Sequence, residues 1–217
     1  MGEERPWGSG AKGKDDVGRI AEKLYQELAA KLIPQLQGEA DEAKRYLLFL
    51  SWLNTRLEEM GFGRIVITGG FAVELYTGRA YRTMDVDVIV EGAAALRVVE
   101  QLLAAISERI GRGYLPAEPL NAKSIDIVST VYPHRARPVK LVVGQFHVYI
   151  EPPEEIIVTY LSGWKHWGST EDRDKAIWVY TVWKDRLDEH YLEQRAREEE
   201  AYEMYEELKR ICKEAAK

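Results

Sequence analysis

The sequence predicts an α+β protein, α/β-like in its centre, in which a mixed β-sheet lies between N-terminal helices and a C-terminal helical segment. Three observations lead there. Apolar residues recur at helical spacing over residues 17–60, short β-branched runs bounded by glycines follow, and strand patterns cease after Pro152-Pro153. The predicted boundaries are a flexible leader at 1–15, N-terminal helices at 16–60, a core at 61–151 and a C-terminal helical segment at 152–217.

The first predicted elements are two helices. Apolar residues spaced for one helix face run from Val17 to Leu36, and Pro34 is expected to kink or end that helix because it lacks an N–H group. A second helix is predicted over residues 39–60, before the glycine at position 61.

Strands and helices then alternate. Short runs rich in Val and Ile predict five strands, at residues 64–68, 84–90, 124–130, 139–143 and 146–150. The last two strands are expected to form a hairpin that turns at Gly144-Gln145. Helices are predicted at residues 71–76 and 93–109.

The C-terminal segment is predicted to contain helices and no strands. Its expected helices lie at residues 154–161, 170–183 and 188–215, and a loop rich in Trp and His joins the first two at 163–169. Aromatic residues in that loop are expected either to anchor the helices or to stack on a base.

Composition limits the classes of protein. With 217 residues, 46% hydrophobic and 30% charged, the chain is long and apolar enough for a globular core. A net charge of −6 argues against generic nucleic-acid binding. Cys212 is the only cysteine, which excludes an intrachain disulfide and a cysteine zinc cluster and fits a cytoplasmic protein. No apolar stretch is long enough to cross a membrane.

Two aspartates interrupt the strand predicted at residues 84–90. Strand side chains alternate between faces, so Asp85 and Asp87 would share one face, while Met84, Val86 and Val88 would face the core. The two carboxylates would then lie about 7 Å apart at their Cα atoms. Such like charges repel unless a cation lies between them, and Mg²⁺ prefers carboxylate, water and phosphate oxygens. A magnesium–phosphate site is one interpretation, and an exposed edge strand is the other.

The surrounding residues favour the magnesium interpretation. Gly69-Gly70 ends the previous strand and opens a helix, whose unpaired N–H groups attract anions while glycine lets a phosphate approach the backbone. Asp126 alternates with Ile125 and Ile127 in a neighbouring strand. Three carboxylates on neighbouring strands are typical of sites that hold two metals for phosphoryl displacement. Glu151 is an alternative third carboxylate.

The segment that contains the glycine pair and the first two aspartates resembles a known family. The stretch I-T-G-G-F-A-V-E-L-Y-T-G-R-A-Y-R-T-M-D-V-D-V-I-V at residues 67–90 looks like the signature of the nucleotidyltransferase superfamily, which has the DNA polymerase β-like fold. It is most similar to small stand-alone prokaryotic members, among them toxin-type enzymes of abortive-infection and toxin–antitoxin systems. The resemblance covers roughly residues 61–195, and the helical tail after Trp167 carries its weaker part.

The resemblance implies a metal site. By position in the motif, Asp85 and Asp87 would bind Mg²⁺, or Mn²⁺ in its place. Asp126 would be the third carboxylate, which helps to hold the catalytic metal and to activate the acceptor hydroxyl.

The resemblance also implies a nucleotide site. Gly69 and Gly70 would hold the phosphates of an NTP. Arg82 and Thr83 precede the aspartates as they often do in the family, and the guanidinium of Arg82 could bind a phosphate bidentately.

The expected function is Mg²⁺-dependent transfer of a nucleoside monophosphate from an NTP to an acceptor hydroxyl on RNA, protein or a small molecule, with release of pyrophosphate. A catalytically silent nucleotide-binding or partner-binding module of the same fold is the alternative. A third hypothesis is an antitoxin-like or scaffold partner in a toxin–antitoxin system. The terminal helices offer a surface for a homodimer or a partner protein.

Two basic features remain open from the sequence. A cluster between the predicted strands would either guide an RNA or nucleotide phosphate or form a solvated loop; it consists of His134, Arg135, Arg137 and Lys140. Lys123, three residues before Asp126, is a weaker candidate for a phosphate contact.

Overall fold

The computed structural model describes the backbone of residues 12–215 and side chains from residue 16 onward, and it confirms the α+β fold with a mixed sheet. The helices are α1 Lys12–Glu27, a π-helical turn Leu28–Leu32, α2 Ile33–Gly38, α3 Glu42–Glu59, α4 Gly69–Tyr76, α5 Ala93–Ile106, α6 Pro153–Trp167, α7 Thr170–Trp183, α8 Glu189–Glu198 and α9 Tyr202–Ala215. The strands are β1 Arg64–Ile67, β2 Asp85–Glu91, β3 Ser107–Ile110, β4 Gly113–Pro116, β5 Ser124–Ser129, β6 Val139–Val143 and β7 Phe146–Ile150. Of the predicted leader, residues 1–11 lie outside the described part.

The strands form one sheet in the order β3-β4-β5-β2-β1-β7-β6. β2 runs parallel to β5, and β1 runs parallel to β7, while the other neighbours are antiparallel. The predicted β6–β7 hairpin is confirmed: Val143 pairs with Phe146 across a turn in which Gly144 has φ +60°. The two parallel pairs matter most for function because they bring strand ends from distant parts of the chain together.

Helices from both ends of the chain cover the sheet. α3 packs on β1, β6 and β7, α5 packs on β2, and α1 packs on α5. In the C-terminal segment α6 contacts α7, α8 and α9, and both α6 and α7 contact α4. A single apolar cluster extends from Leu24 in α1 through Val88 in β2 to Leu208 in α9. Burial of this continuous apolar surface stabilises the N-terminal helices, the sheet and the C-terminal helices together.

The helix predicted over residues 93–109 is wrong at its C-terminal end. It stops at Ile106, and Ser107–Ile110 forms β3, which pairs with a second strand that the sequence reasoning missed, β4. Ile110 pairs with Gly113 across a two-residue turn in which Gly111 has φ +59°. The turn chemistry of I-G-R-G therefore outweighs the helical periodicity that precedes it.

Pro34 does not end the first helical region. The π-helical turn Leu28–Leu32 shifts the hydrogen-bond register just before it, so that Pro34 lies in the first turn of α2. A missing N–H group costs nothing there, since the first turn has no intrahelical acceptor for it. The helical course therefore continues to Gly38.

Two C-terminal predictions also need correction. The loop expected at residues 163–169 is mostly helix, because α6 continues to Trp167 and ends at Gly168 in a left-handed conformation. The single helix expected at 188–215 is broken at Glu200, which has φ +56°, and its second part, α9, packs against α6, α7 and α8 with Tyr205 buried. None of the helices between residues 12 and 215 combines the length and apolar character needed to cross a bilayer.

Candidate active site

Three carboxylates lie at the end of the sheet where β2 and β5 run side by side. The strand register pairs Asp85 with Ser124 and Asp87 with Asp126. Laterally paired residues project to the same face of a sheet, so Asp87 and Asp126 are neighbours. Ser124 links the group, since its Oγ is 2.7 Å from Asp85 Oδ1 and 3.4 Å from Asp126 Oδ1. The structure thus brings the three predicted aspartates together.

The predicted alternation of β2 is confirmed for its valines and wrong for Met84. Val86, Val88 and Val90 are buried, but Met84 precedes the strand and is 72% exposed. Because the strand begins only at Asp85, its buried face starts at Val86 and not at Met84.

The carboxylates perturb one another electrostatically. Burial, followed by the charges of Asp126 and Asp85, raises the pKa of Asp87 above its usual range, although the Gly70 N–H and Lys175 oppose the shift. Burial and the charge of Asp85 also raise the pKa of Asp126. Such mutual repulsion is the condition that a bound cation would relieve.

The glycine pair lies directly against these carboxylates. Gly69 opens α4 with φ +62°, a conformation that favours glycine, and a Cβ atom there would lie 2.2 Å from Asp87 Oδ2. At Gly70 a Cβ atom would lie 2.9 Å from Thr83 Oγ1. The helix N-terminus and the aspartates therefore meet at a distance that only glycine allows.

The two residues before the aspartates behave differently. Thr83 is half-buried, and its hydroxyl accepts a hydrogen bond from the Asp85 N–H at 3.3 Å. Arg82 is exposed to solvent. Thr83 therefore belongs to the local framework, and the guanidinium of Arg82 remains accessible to an anion.

The missed strand β4 contributes a wall beside Asp126. Its first residue, Gly113, is buried, and a Cβ atom there would lie 1.9 Å from Asp126 Oδ1. The carboxylate of Asp126 occupies the space that any larger residue would need. Gly113, the second glycine of I-G-R-G, therefore has a role that its local sequence does not reveal.

Replacing Gly113 by Ala is expected to displace the Asp126 carboxylate rather than unfold the protein. The clash is with the end of a side chain, so χ rotation relieves it at a cost of about 0.5–1.5 kcal/mol in unfolding free energy. A misplacement of about 1 Å can cost roughly 10²-fold in rate. Thermal unfolding should be measured together with the nucleotide transfer that the sequence resemblance implies. Gly38→Ala is the control because its Cβ would have no atom within 4 Å, and equal activity of the two variants would contradict the assignment of Asp126.

Lys175 in α7 is a cation near the site that the sequence reasoning missed. It lowers the pKa of Asp87, and its ammonium lies 5.2 Å from the Tyr81 ring centre and 4.9 Å from that of Tyr160. Glu171 is 2.8 Å from the ammonium. The available signal was the charged start of a predicted helix, T-E-D-R-D-K, which periodicity alone assigns to solvent.

Lys123 and two residues of the basic cluster, His134 and Arg135, are paired with glutamates. Lys123 is buried in ion pairs with Glu42 and Glu74, so its suggested phosphate contact is wrong. In the basic cluster, Arg135 pairs with Glu198 at 2.9 Å and His134 turns inward. Of the aromatic residues near position 165, Trp164 packs against the core while Trp167 is 84% exposed.

Glu151, the alternative third carboxylate, belongs to a buried cluster next to the site. It accepts a hydrogen bond from the Thr68 hydroxyl, and His134 Nε2 lies 2.7 Å from its Oε1. His134 Nδ1 is 3.0 Å from Glu155 Oε2. Burial alone would lower the pKa of His134, but the hydrogen bonds with both glutamates raise it to about 9. The cluster therefore holds the side chain of Thr68, the residue immediately before the Gly69-Gly70 turn.

The fit of a metal follows from this donor set. Among residues 16–215 no three His, Cys, Asp or Glu side chains form a ready-made cage. Mg²⁺, however, commonly takes only one or two carboxylates and completes its shell with water and substrate phosphates. Asp85 and Asp87, with Asp126 beside them, match that requirement.

Comparison with solved structures places the fold. An antigenic nucleotidyltransferase-like protein from Paracoccidioides brasiliensis superposes with a TM-score of 0.52 at 19% identity, over 78% of this chain and 93% of that one. ANT(2″)-Ia in complex with adenylyl-2″-tobramycin gives a TM-score of 0.47 at 16% identity, over 72% of this chain and 97% of that one. No protein-family model matches the chain, and no curated protein is similar to it in sequence. The first similarity shows a nucleotidyltransferase-like fold.

Proposed function

We propose that the protein is a metal-dependent nucleotidyltransferase that transfers a nucleoside monophosphate from an NTP to an acceptor hydroxyl. The observation that carries the proposal is the pairing of Asp87 with Asp126 across β2 and β5, directly against the Gly69-Gly70 turn. An anion-binding helix start and a carboxylate cluster with raised pKa values are thus in contact. The shared fold supports the same class of reaction.

Asp85, Asp87 and Asp126 would hold Mg²⁺ or Mn²⁺, which supplies charge stabilisation to the transferred phosphoryl group. The backbone N–H groups at the start of α4 would orient the phosphates, since glycine leaves them accessible. Lys175 adds positive charge near Asp87, which helps to attract an NTP to a chain of net charge −6. Arg82, exposed and three residues before Asp85, would add a second cation.

In the proposed reaction the acceptor oxygen attacks the α-phosphorus of the NTP, and the bond to the β-phosphate oxygen breaks. Pyrophosphate leaves in line with the incoming oxygen. Asp126 would take the hydroxyl proton, since burial and the charge of Asp85 raise its pKa and make it a stronger base than an ordinary aspartate.

The direct experiment is incubation with each α-labelled NTP in turn, with Mg²⁺ or Mn²⁺, total RNA and cell protein as acceptors. We expect label to appear in one acceptor class with one preferred NTP, and to be absent with Asp85→Asn. No labelled product with any NTP, or equal labelling by the variant, would contradict the proposal. If NTP is consumed but neither RNA nor protein becomes labelled, hydroxyl-bearing small molecules should be tested as acceptors.

A catalytically silent binding module is the second candidate, favoured by the extensive helical surface at both ends of the chain. Calorimetry with each NTP and Mg²⁺ separates it from the enzyme. Metal-dependent binding without turnover supports the module, including a toxin–antitoxin role in which a partner covers Asp85. Absence of NTP binding counts against both candidates.

A further inference from the structure

A buried charged network connects the segments that carry the candidate site. Lys123 is only 2% exposed and directly precedes β5, the strand that holds Asp126. Its ammonium lies 2.9 Å from Glu42 Oε1 and 3.0 Å from Glu74 Oε2, and it donates to the carbonyl oxygen of Thr83. An ammonium has three N–H donors. Two of them are used in the hydrogen bonds to Glu74 and Thr83, and Glu42 forms an ion pair with the same ammonium.

Glu74 forms a second hydrogen bond to the backbone of Thr83. It lies in α4, the helix that the glycine pair opens, and it is fully buried. Its Oε2 accepts the Thr83 N–H at 3.1 Å. The peptide groups on either side of Thr83 are therefore held, the N–H by Glu74 and the carbonyl by Lys123. The next residues along the chain are Met84 and Asp85.

The N-terminal helices supply two carboxylates to this network. Glu42 is the first residue of α3 and contacts Lys123, and Asp41 caps the same helix. Asp41 Oδ2 is 2.7 Å from the Arg79 guanidinium, whose Nε lies 3.9 Å from Glu74 Oε1. Negative and positive side chains alternate from Asp41 through Arg79, Glu74 and Lys123 to Glu42. The start of α3, which lies outside the motif at residues 67–90, is thereby connected to the stretch between its glycines and its aspartates.

Such a network adds little to stability, but it restricts the positions of the groups that it connects. Desolvating buried charges offsets most of their attraction, and apolar residues of similar volume often stabilise as well or better. A charged group in its place accepts only certain distances and directions. Polar residues behind metal ligands commonly serve to orient them.

We propose that Lys123 is a positioning residue that sets the spacing between the Gly69-Gly70 turn and the aspartates of β2 and β5. Through Glu42, the N-terminal helices are part of the site rather than an independent appendage. The chemical consequence rests on the proposed function, whereas the placement of Thr83 can be tested without it.

The test compares three variants with the wild-type chain: Lys123→Met/Glu74→Gln, which removes both buried charges, Glu42→Gln, and the exposed-lysine control Lys23→Met. Amide hydrogen exchange reports on Thr83 and Asp85 relative to β1, and Mn²⁺ alone is titrated by electron paramagnetic resonance. In the double variant we expect exchange at Thr83 and Asp85 to accelerate at least about tenfold over β1, because hydrogen bonds to charged groups are lost. Mn²⁺ affinity should fall roughly 10–100-fold, as for other residues that orient metal ligands.

Glu42→Gln should shift both measurements in the same direction by less, since the buried pair remains, and Lys23→Met should shift neither. A role in stability alone would accelerate exchange everywhere and leave the Mn²⁺ affinity of the folded fraction at the wild-type value. That result, or unchanged exchange at Thr83 in both network variants, would overturn the positioning role. If Asp85→Asn binds Mn²⁺ as tightly as the wild-type chain does, the proposed function fails. The exchange data alone then decide whether Lys123 positions Thr83.

Discussion

Asp87→Asn is expected to abolish the proposed nucleotidyl transfer while leaving the fold at least as stable as before. Removing one preorganised electrostatic group from an active site typically costs about 10²–10³ in kcat, and this carboxylate touches the glycine turn on one side and pairs with Asp126 on the other. We expect a loss of at least that size. Turnover should be measured with the preferred NTP at saturating Mg²⁺, so that weaker metal affinity is not mistaken for slower chemistry.

Stability should move in the opposite direction to activity. Burial and two neighbouring charges raise the pKa of Asp87, which means that its ionised form is less favourable in the folded than in the unfolded chain. At neutral pH the asparagine removes that penalty, so the midpoint of thermal unfolding should stay the same or rise. Asp185→Asn, at an exposed position after α7, is the matched control. A variant that loses activity only because it unfolds would show that Asp87 is structural.

His134→Ala is expected to cause the largest loss of stability among single changes near the site. The imidazole is 17% exposed and lies between Glu151 and Glu155, both of which are buried. Removing one partner of a buried ion pair commonly costs about 3–5 kcal/mol, because an uncompensated charge remains. For a chain of this size that corresponds to a decrease of roughly 6–20 °C in the unfolding midpoint. Calorimetric or circular-dichroism melting at pH 6.5 measures it.

The contribution of His134 should depend on pH with a definite sign. Its folded pKa of about 9 lies above the usual 6.5, so the folded chain holds the proton more tightly. The stabilisation is therefore fully present below about pH 6.5 and is lost as the pH rises through 9. Between these values the unfolding free energy should fall by about 1.4 kcal/mol per pH unit from this group.

His134→Ala should remove that slope, whereas His166→Ala, at an exposed position in α6, should preserve it. Denaturant unfolding at several pH values between 6.5 and 9.5 provides the comparison. Identical pH dependence in the wild-type chain and His134→Ala would show that the imidazole is neutral between the glutamates. Since Glu151 also holds the Thr68 hydroxyl, a change in nucleotide affinity is expected to accompany the loss of stability.

Local patterns predicted the parts of the fold in which sequence neighbours decide the structure. The alternation in D-V-D-V-I-V placed the valines of β2 in the core, and the hairpin at Gly144 follows from turn chemistry. The failures occurred where pairing or packing outweighs the local periodicity. Ser107–Ile110 continues a helical pattern, but the I-G-R-G turn pairs it with β4. The break at Glu200 has no glycine or proline to announce it, and it allows Tyr205 to be buried.

The sequence by itself determined most of the candidate site, because Gly69, Gly70, Asp85 and Asp87 lie within one short segment whose spacing is readable. Only the tertiary structure decided how that segment is held. Lys123, Glu74 and Glu42 come from three separate regions of the chain, and their buried charges can be interpreted only once their partners are known. The same holds for Gly113, whose missing side chain makes room for Asp126. Contacts between residues far apart in sequence leave no periodicity in either segment, so the spacing of residues cannot reveal them.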